Sequence, residues 1–178
     1  MKPPILHSDR LELRPLNLSF CTQKYVDWMN DPEVYKYLET RGDYTIEKLR
    51  DYLADAEEKN ILFWGIVIRE SDKHIGNIKI DPINPIHGLG EYGIMMGEKS
   101  EWGKGYAFEA SRLVIDYCCE TLNIRKLNLG VVEENVSAVN LYKKLGFIIE
   151  GLHRNHLVYN SQYHNSLRMA LFNPKYTY

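Results

Sequence analysis

Two short stretches of this chain hold residue types suited to chemistry, and each opens a helical pattern. The first is Glu101-Trp102-Gly103-Lys104-Gly105-Tyr106-Ala107. Glycines let a backbone approach a ligand closely, and a helix that begins at such a turn directs N–H groups and the positive end of its dipole at an anion. Ala107, Ala110, Val114, Tyr117, Cys118 and Thr121 then fall on one face at three- and four-residue steps, which supports the helix. The turn reads as a cradle for a diphosphate; the plainer reading is a pair of loop glycines feeding a helix. It fits neither the P-loop pattern G-x-x-x-x-G-K-[ST] nor the dinucleotide fingerprint G-x-G-x-x-G.

The second stretch runs from Asn135 to Phe147. Ala138, Leu141, Tyr142 and Leu145 share a face, Asn135 or Ser137 suits the start as a cap, and Gly146-Phe147 suits a glycine C-cap with its hydrophobic contact. On these residues alone Asn135 is a helix cap and Tyr142 a core aromatic.

Together the two stretches resemble the signatures of the GNAT superfamily of acyl-CoA-dependent N-acetyltransferases. Trp102 to Ala107 matches the pattern Q/R-x-x-G-x-G/A, and Asn135 to Phe147 matches Asn-x-x-(Ser/Ala)-x-x-x-Tyr-x-x-x-Gly-Phe. Trp102 departs from the usual Gln or Arg; the turn WGKGYA is similar to that of the ribosomal-protein alanine acetyltransferases. The similarity extends from Arg10 to Leu171. It implies acetyl-CoA as co-substrate and direct attack of a primary amine on its thioester in a ternary complex.

The resemblance also implies site residues. Trp102, Gly103, Lys104, Gly105, Tyr106 and Ala107 would hold the pyrophosphate, chiefly by backbone N–H groups. Main-chain groups of Ile94, Met95 and Met96 would pair with the pantetheine arm, since an open strand edge offers N–H and C=O groups to a ligand amide. Asn135 would orient the coenzyme, and Asn140 and Lys144 would stand within reach of it. Tyr142 matches the family's general acid, a phenol with an ordinary pKa near ~10 that stays protonated at neutral pH. An alkylamine with pKa near ~10.4 must lose a proton before it attacks. Glu91, on the expected fourth strand, is the candidate catalytic base.

The acceptor is left open among a protein N-terminus, which the turn favours, an amino sugar on a nucleotide, and a polyamine. The loop Asp31 to Asp43 would cover the acceptor side with four acidic and two basic side chains, and His87 precedes the fourth strand. An acyl-CoA sensor without turnover is the alternative outside enzymes, which retention of Tyr142 and Glu91 argues against.

The elements that must position these groups form a mixed α/β order. Strands are expected at Arg10 to Leu13, Phe63 to Glu70, His74 to Ile80, Leu89 to Met96, Lys126 to Val132, Phe147 to Glu150 and Leu167 to Leu171. Helices are expected at Ser19 to Asn30, Thr45 to Asn60, from Tyr106 onward and from Asn135 to Leu145. The fold class is α+β: a largely antiparallel twisted sheet of about six or seven strands with helices on both faces and a splayed fourth and fifth strand, as the resemblance implies. Residues 1–178 are expected to form a single domain.

Apolar residues at 44%, charged residues at 26% and a net charge of −2 indicate an ordinary globular chain without the basic excess of a nucleic-acid binder. No long apolar run points to a membrane, and Cys21, Cys118 and Cys119 suggest a reducing cytoplasm rather than a disulfide framework or zinc site. His153, His156 and His164 lack matching carboxylate or thiolate spacing, so no metal is expected. A homodimer is the commonest assembly for such a domain.

Overall fold

The run Leu62–Ile68 (β3) is buried at every residue, the mark of a strand covered on both faces, and the sheet is built outward from it. The computed structural model describes residues 2–40, 42–59 and 61–177. Arg41 in the expected acceptor loop and Asn60 at the expected end of the second helix lie outside them. Among the described residues the remaining strands are β1 (Leu6–His7), β2 (Leu11–Pro15), β4 (Lys73–Asn84), β5 (Leu89–Met96), β6 (Lys126–Val132), β7 (Ile148–Tyr159) and β8 (Gln162–Phe172). The helices are α1 (Gln23–Asn30), α2 (Pro32–Tyr35), α3 (Ile46–Glu58), α4 (Tyr106–Glu120) and α5 (Val136–Leu145). The eight strands follow the order β1-β2-β3-β4-β5-β6-β8-β7.

The mixed, largely antiparallel α+β sheet expected from the sequence is present, with one strand more than the upper count. Its parallel pair is β5 with β6, where Leu89, Gly90 and Glu91 lie opposite Lys126, Leu127 and Asn128. Only these first three of the eight β5 residues share that register. β1 was not expected; it is two residues long, too short for a period to show. The helix expected from Ser19 to Asn30 is interrupted. A 3₁₀ turn covers Leu18–Phe20, and α1 starts afresh where the Thr22 side chain accepts from the Tyr25 N–H. The last two strands form a hairpin much longer than expected, turning at Asn160 and Ser161, both with positive φ.

Contacts divide the chain into two compact units, one of residues 1–80 and 93–113, the other of residues 81–92 and 114–178. In the first, α1 and α3 place Tyr25, Trp28, Leu49 and Leu53 in one apolar cluster with Phe63 of β3. Thr45 caps α3 by accepting from the Lys48 N–H at 3.2 Å, an arrangement worth about 1 kcal/mol. The indole of Trp28 lies against Gly97, where any Cβ would collide with it, so glycine is what lets α1 sit over the end of β5. In the second unit, β8 pairs with β6 on one side and β7 on the other. Buried Asn173 fixes the end of β8 by donating to the carbonyls of Cys119 and Ile124 at 3.1 and 3.0 Å.

His74 of β4 is held among Phe20, Tyr25 and Trp28, with ring centroids 4.8, 5.8 and 4.8 Å away. Its Nε2 lies 2.9 Å from the carbonyl of Gly76, which can only accept, so the proton is on Nε2. Burial pushes this imidazole down to about 4. The unfolded chain binds a proton at this residue near pH ~6.5 and the folded chain does not, so this stabilisation is full above that pH and is lost as pH falls toward 4. Urea unfolding at pH 5 should show about 2 kcal/mol less stability than at pH 7 from this one group. His74→Gln should flatten the difference by that amount; an unchanged pH dependence in the variant would contradict the assignment.

Candidate active site

In the first unit, β5 gives way to a 3₁₀ turn at Lys99–Glu101, then to the glycine turn, then to α4. Gly103 has φ +76° and Gly105 φ +84°. A Cβ at Gly103 would meet nothing within 4 Å and one at Gly105 only the tip of Arg10 at 3.6 Å. The demand for glycine is therefore one of backbone conformation rather than of room within the fold. The first bond of α4 runs from the Glu109 N–H to the Gly105 carbonyl at 3.1 Å. The N–H groups of Tyr106 and Ala107, ahead of it, have no carbonyl four residues back within the helix to bond, and they emerge at the positive end of its dipole. Two left-handed residues feeding a helix start fit a diphosphate, which would be held by N–H groups of this turn.

The side chains of the turn serve mainly to hold it. Trp102 Nε1 donates to the Met96 carbonyl at 2.9 Å, tying the turn to the end of β5. Lys104 pairs with Glu101 at 2.8 Å, and Glu101 also pairs with Lys73 at 2.9 Å, which together hold its carboxyl below its ordinary range. The Ala107 carbonyl accepts from the Ser111 hydroxyl at 2.6 Å. Ile94, Met95 and Met96 are partly buried, and Met95 and Met96 pass so close to Gly76 of β4 that a Cβ there would collide with the Met95 carbonyl.

In the second unit, α5 carries the other signature. Asn135 is its cap: the side-chain oxygen accepts from the Ala138 N–H at 3.4 Å. Gly146 ends the helix at φ +100°. The Gly146 N–H donates to the Lys143 carbonyl at 3.1 Å and the Phe147 N–H to the Tyr142 carbonyl at 2.9 Å, a Schellman pair. The same motif brings the buried Phe147 ring against Tyr142, 5.9 Å between centroids, and Tyr92 closes on it at 5.8 Å. Tyr142 is therefore both a packed aromatic and a candidate acid. Burial pushes its hydroxyl up to about 12, so it is a donor throughout the physiological range. Among the described residues nothing is hydrogen-bonded to that hydroxyl. Asn140 faces outward on α5.

Glu91 is in a different position from a free base. Arg168 of β8 grips both its oxygens, Nη1 at 2.8 Å and Nη2 at 2.9 Å. Such a fork fixes the orientation of a carboxylate. Arg168 escaped the sequence reading because it lies 77 residues away, with no local pattern to link it to Glu91. His87 belongs to the β4–β5 turn, where its N–H donates to Asn84 at 3.1 Å. The rings of His153 and His156 meet edge to face with centroids 4.8 Å apart, and among the described residues no group of His, Cys, Asp and Glu side chains is placed to hold a metal. Burial pushes the Cys118 thiol up to about 12, which removes it as a nucleophile. No described helix is long and apolar enough to cross a membrane.

Comparison with known proteins agrees with this geometry. The family model for the acetyltransferase (GNAT) domain matches residues 10–148. The chain is 31% identical over 178 residues to the spermidine N(1)-acetyltransferase of Escherichia coli strain K12, covering 97% of this chain and 90% of that protein. It superposes on the spermidine N-acetyltransferase from Vibrio cholerae, solved in complex with CoA and spermine, with TM-score 0.86 and 25% identity, covering 94% of this chain and 98% of that one. The ribosomal-protein-S5-alanine acetyltransferase from Vibrio fischeri superposes with TM-score 0.80 at 17% identity, covering 98% of this chain and 100% of that one, a likeness of fold alone. A family match across most of the chain, with both signatures standing at helix starts, establishes that the chain belongs to the GNAT family of acetyl-CoA-dependent N-acetyltransferases.

Proposed function

We propose that this enzyme acetylates a polyamine, with spermidine the representative acceptor. The observation that carries it is the 31% identity to a spermidine N(1)-acetyltransferase across 97% of the chain. The acceptor-side loop is consistent with a cationic amine. Asp31 and Glu33 already hold an alkylammonium, that of Lys99, at 2.7 and 2.5 Å. This pairing keeps the Asp31 carboxyl below its ordinary range. The turn WGKGYA, similar to that of ribosomal-protein alanine acetyltransferases, favours a protein N-terminus as the second reading.

Acetyl-CoA supplies an activated acyl group as its thioester. The turn from Trp102 to Ala107 binds the diphosphate, and the main chain of Ile94, Met95 and Met96 holds the pantetheine arm. Asn135, with its N–H₂ group left over from capping, and Asn140 orient the coenzyme. Tyr142 donates its hydroxyl proton to the departing sulfur; its raised pKa keeps it protonated until the thiolate forms, at the cost of making it a weaker acid than a free phenol. Glu91, fixed by Arg168, takes the amine proton through water at the other end of the relay.

Thiol release from acetyl-CoA, measured against spermidine, N-terminal alanine peptides and nucleotide-linked amino sugars, should give a kcat/KM for spermidine about 10²-fold above either other class. A peptide outranking spermidine would overturn the acceptor assignment in favour of the second reading. Tyr142→Phe should lower kcat about 10²-fold or more while the dissociation constant for coenzyme A stays within about twofold. Full turnover in that variant, with chemistry rate-limiting, would remove Tyr142 as the acid. Glu91→Gln should cost kcat/KM about 10²-fold in the same assay; an unaffected rate would assign the base elsewhere.

A further inference from the structure

Arg10, at the entrance to β2, reaches across the fold of the first unit to the glycine turn. Its Nη1 donates to the Lys104 carbonyl at 3.0 Å, its Nε donates to Glu109 Oε2 at 2.7 Å, and its guanidinium lies 4.5 Å from the centroid of the Tyr106 ring. Glu109 is itself fixed, accepting from the Ser8 hydroxyl at 2.6 Å and from the Arg10 backbone N–H at 3.3 Å. Burial pushes the Glu109 carboxyl up, but these bonds outweigh it and the group stays ionised. One side chain thus grips residues 104, 106 and 109, on both sides of Gly105.

The geometry of the peptide unit gives this grip a consequence. In a trans peptide the C=O and N–H point in opposite directions. The Lys104 carbonyl and the Gly105 N–H belong to one unit, so the bond that draws the carbonyl toward Arg10 turns the Gly105 N–H away from it. Glycine has more backbone states open to it than any other residue, and this unit is flanked by Gly103 and ends in Gly105. Without a tether this unit is free to flip. Lysine carries its donors on one atom, so it lacks the rigid planar fork that sends separate nitrogens to the Lys104 carbonyl and to Glu109.

We propose that Arg10 is a positioning residue for coenzyme binding: by holding the Lys104 carbonyl it presents the Gly105 N–H to the diphosphate. The inference rests on the assignment of the turn as a diphosphate cradle. It is tested by binding titrations of the full chain and its variants with coenzyme A and with pantetheine, which lacks the diphosphate and nucleotide. The unmodified chain should bind coenzyme A more tightly than pantetheine; equal affinities would overturn the cradle itself, and this inference with it. Arg10→Ala should weaken coenzyme A about tenfold, the worth of a hydrogen bond to a charged group, and leave pantetheine unchanged. Arg10→Lys should recover little of the loss, and Glu109→Gln, which removes the anchor of the fork but not its charge, should shift affinity in the same direction. Should Arg10→Ala fail to fold by circular dichroism, the Arg10→Lys and Glu109→Gln variants carry the test. Coenzyme A affinity unchanged in the folded Arg10 variants, an equal loss for pantetheine, or full rescue by lysine would each overturn the positioning role.

Discussion

A diphosphate held by main-chain amides requires that several N–H groups converge on one point and stay there while unoccupied. Few local structures meet both conditions, and a helix start preceded by left-handed residues is one of them. Here Gly103 and Gly105 take that conformation at φ +76° and +84°, and α4 follows at once. The neighbouring contacts restrain what the glycines would otherwise leave loose. Trp102 is bonded to the end of β5, Lys104 and Lys73 converge on Glu101, and Arg10 grips the far side. These surface ion pairs contribute little to global stability singly. Their effect is to narrow the states of one turn.

The second signature works by different physics. Tyr142 is oriented by how its helix ends rather than by how it begins. Gly146 in the left-handed region closes the Schellman pair, and that closure delivers Phe147 to the Tyr142 ring. Desolvation by this packing raises the phenol to about 12, so the hydroxyl is protonated across the physiological range. Packing and protonation are thus one feature: the aromatic enclosure that makes Tyr142 a core residue also keeps its hydroxyl protonated.

The helices α3, α4 and α5 and both signatures were legible because their information is local. Apolar steps of three and four residues, Thr45 before α3 and Gly146 after α5 all lie within a turn or two of what they specify. What was missed is non-local or aperiodic. β1 is two residues of edge strand, and β7 is exposed along most of its length, so neither shows the alternation of a half-buried strand. The Asn160-Ser161 turn uses positive φ at residues other than glycine, which left the length of the β7–β8 hairpin hidden. The helix expected from Ser19 failed because Thr22 is a better start than Ser19, with its own cap bond. Arg10 and Arg168 are ordinary residues in sequence; their partners lie 94 and 99 residues away in the one case and 77 in the other.

The most direct measurement on the central claim is amide hydrogen exchange across the glycine turn, read at Gly103 to Ala107 with and without coenzyme A. If main-chain amides hold the diphosphate, exchange at these positions slows on binding while exposed amides elsewhere on the chain keep their rates. Coenzyme A that binds, by independent titration, while these amides exchange as freely as before would contradict the account.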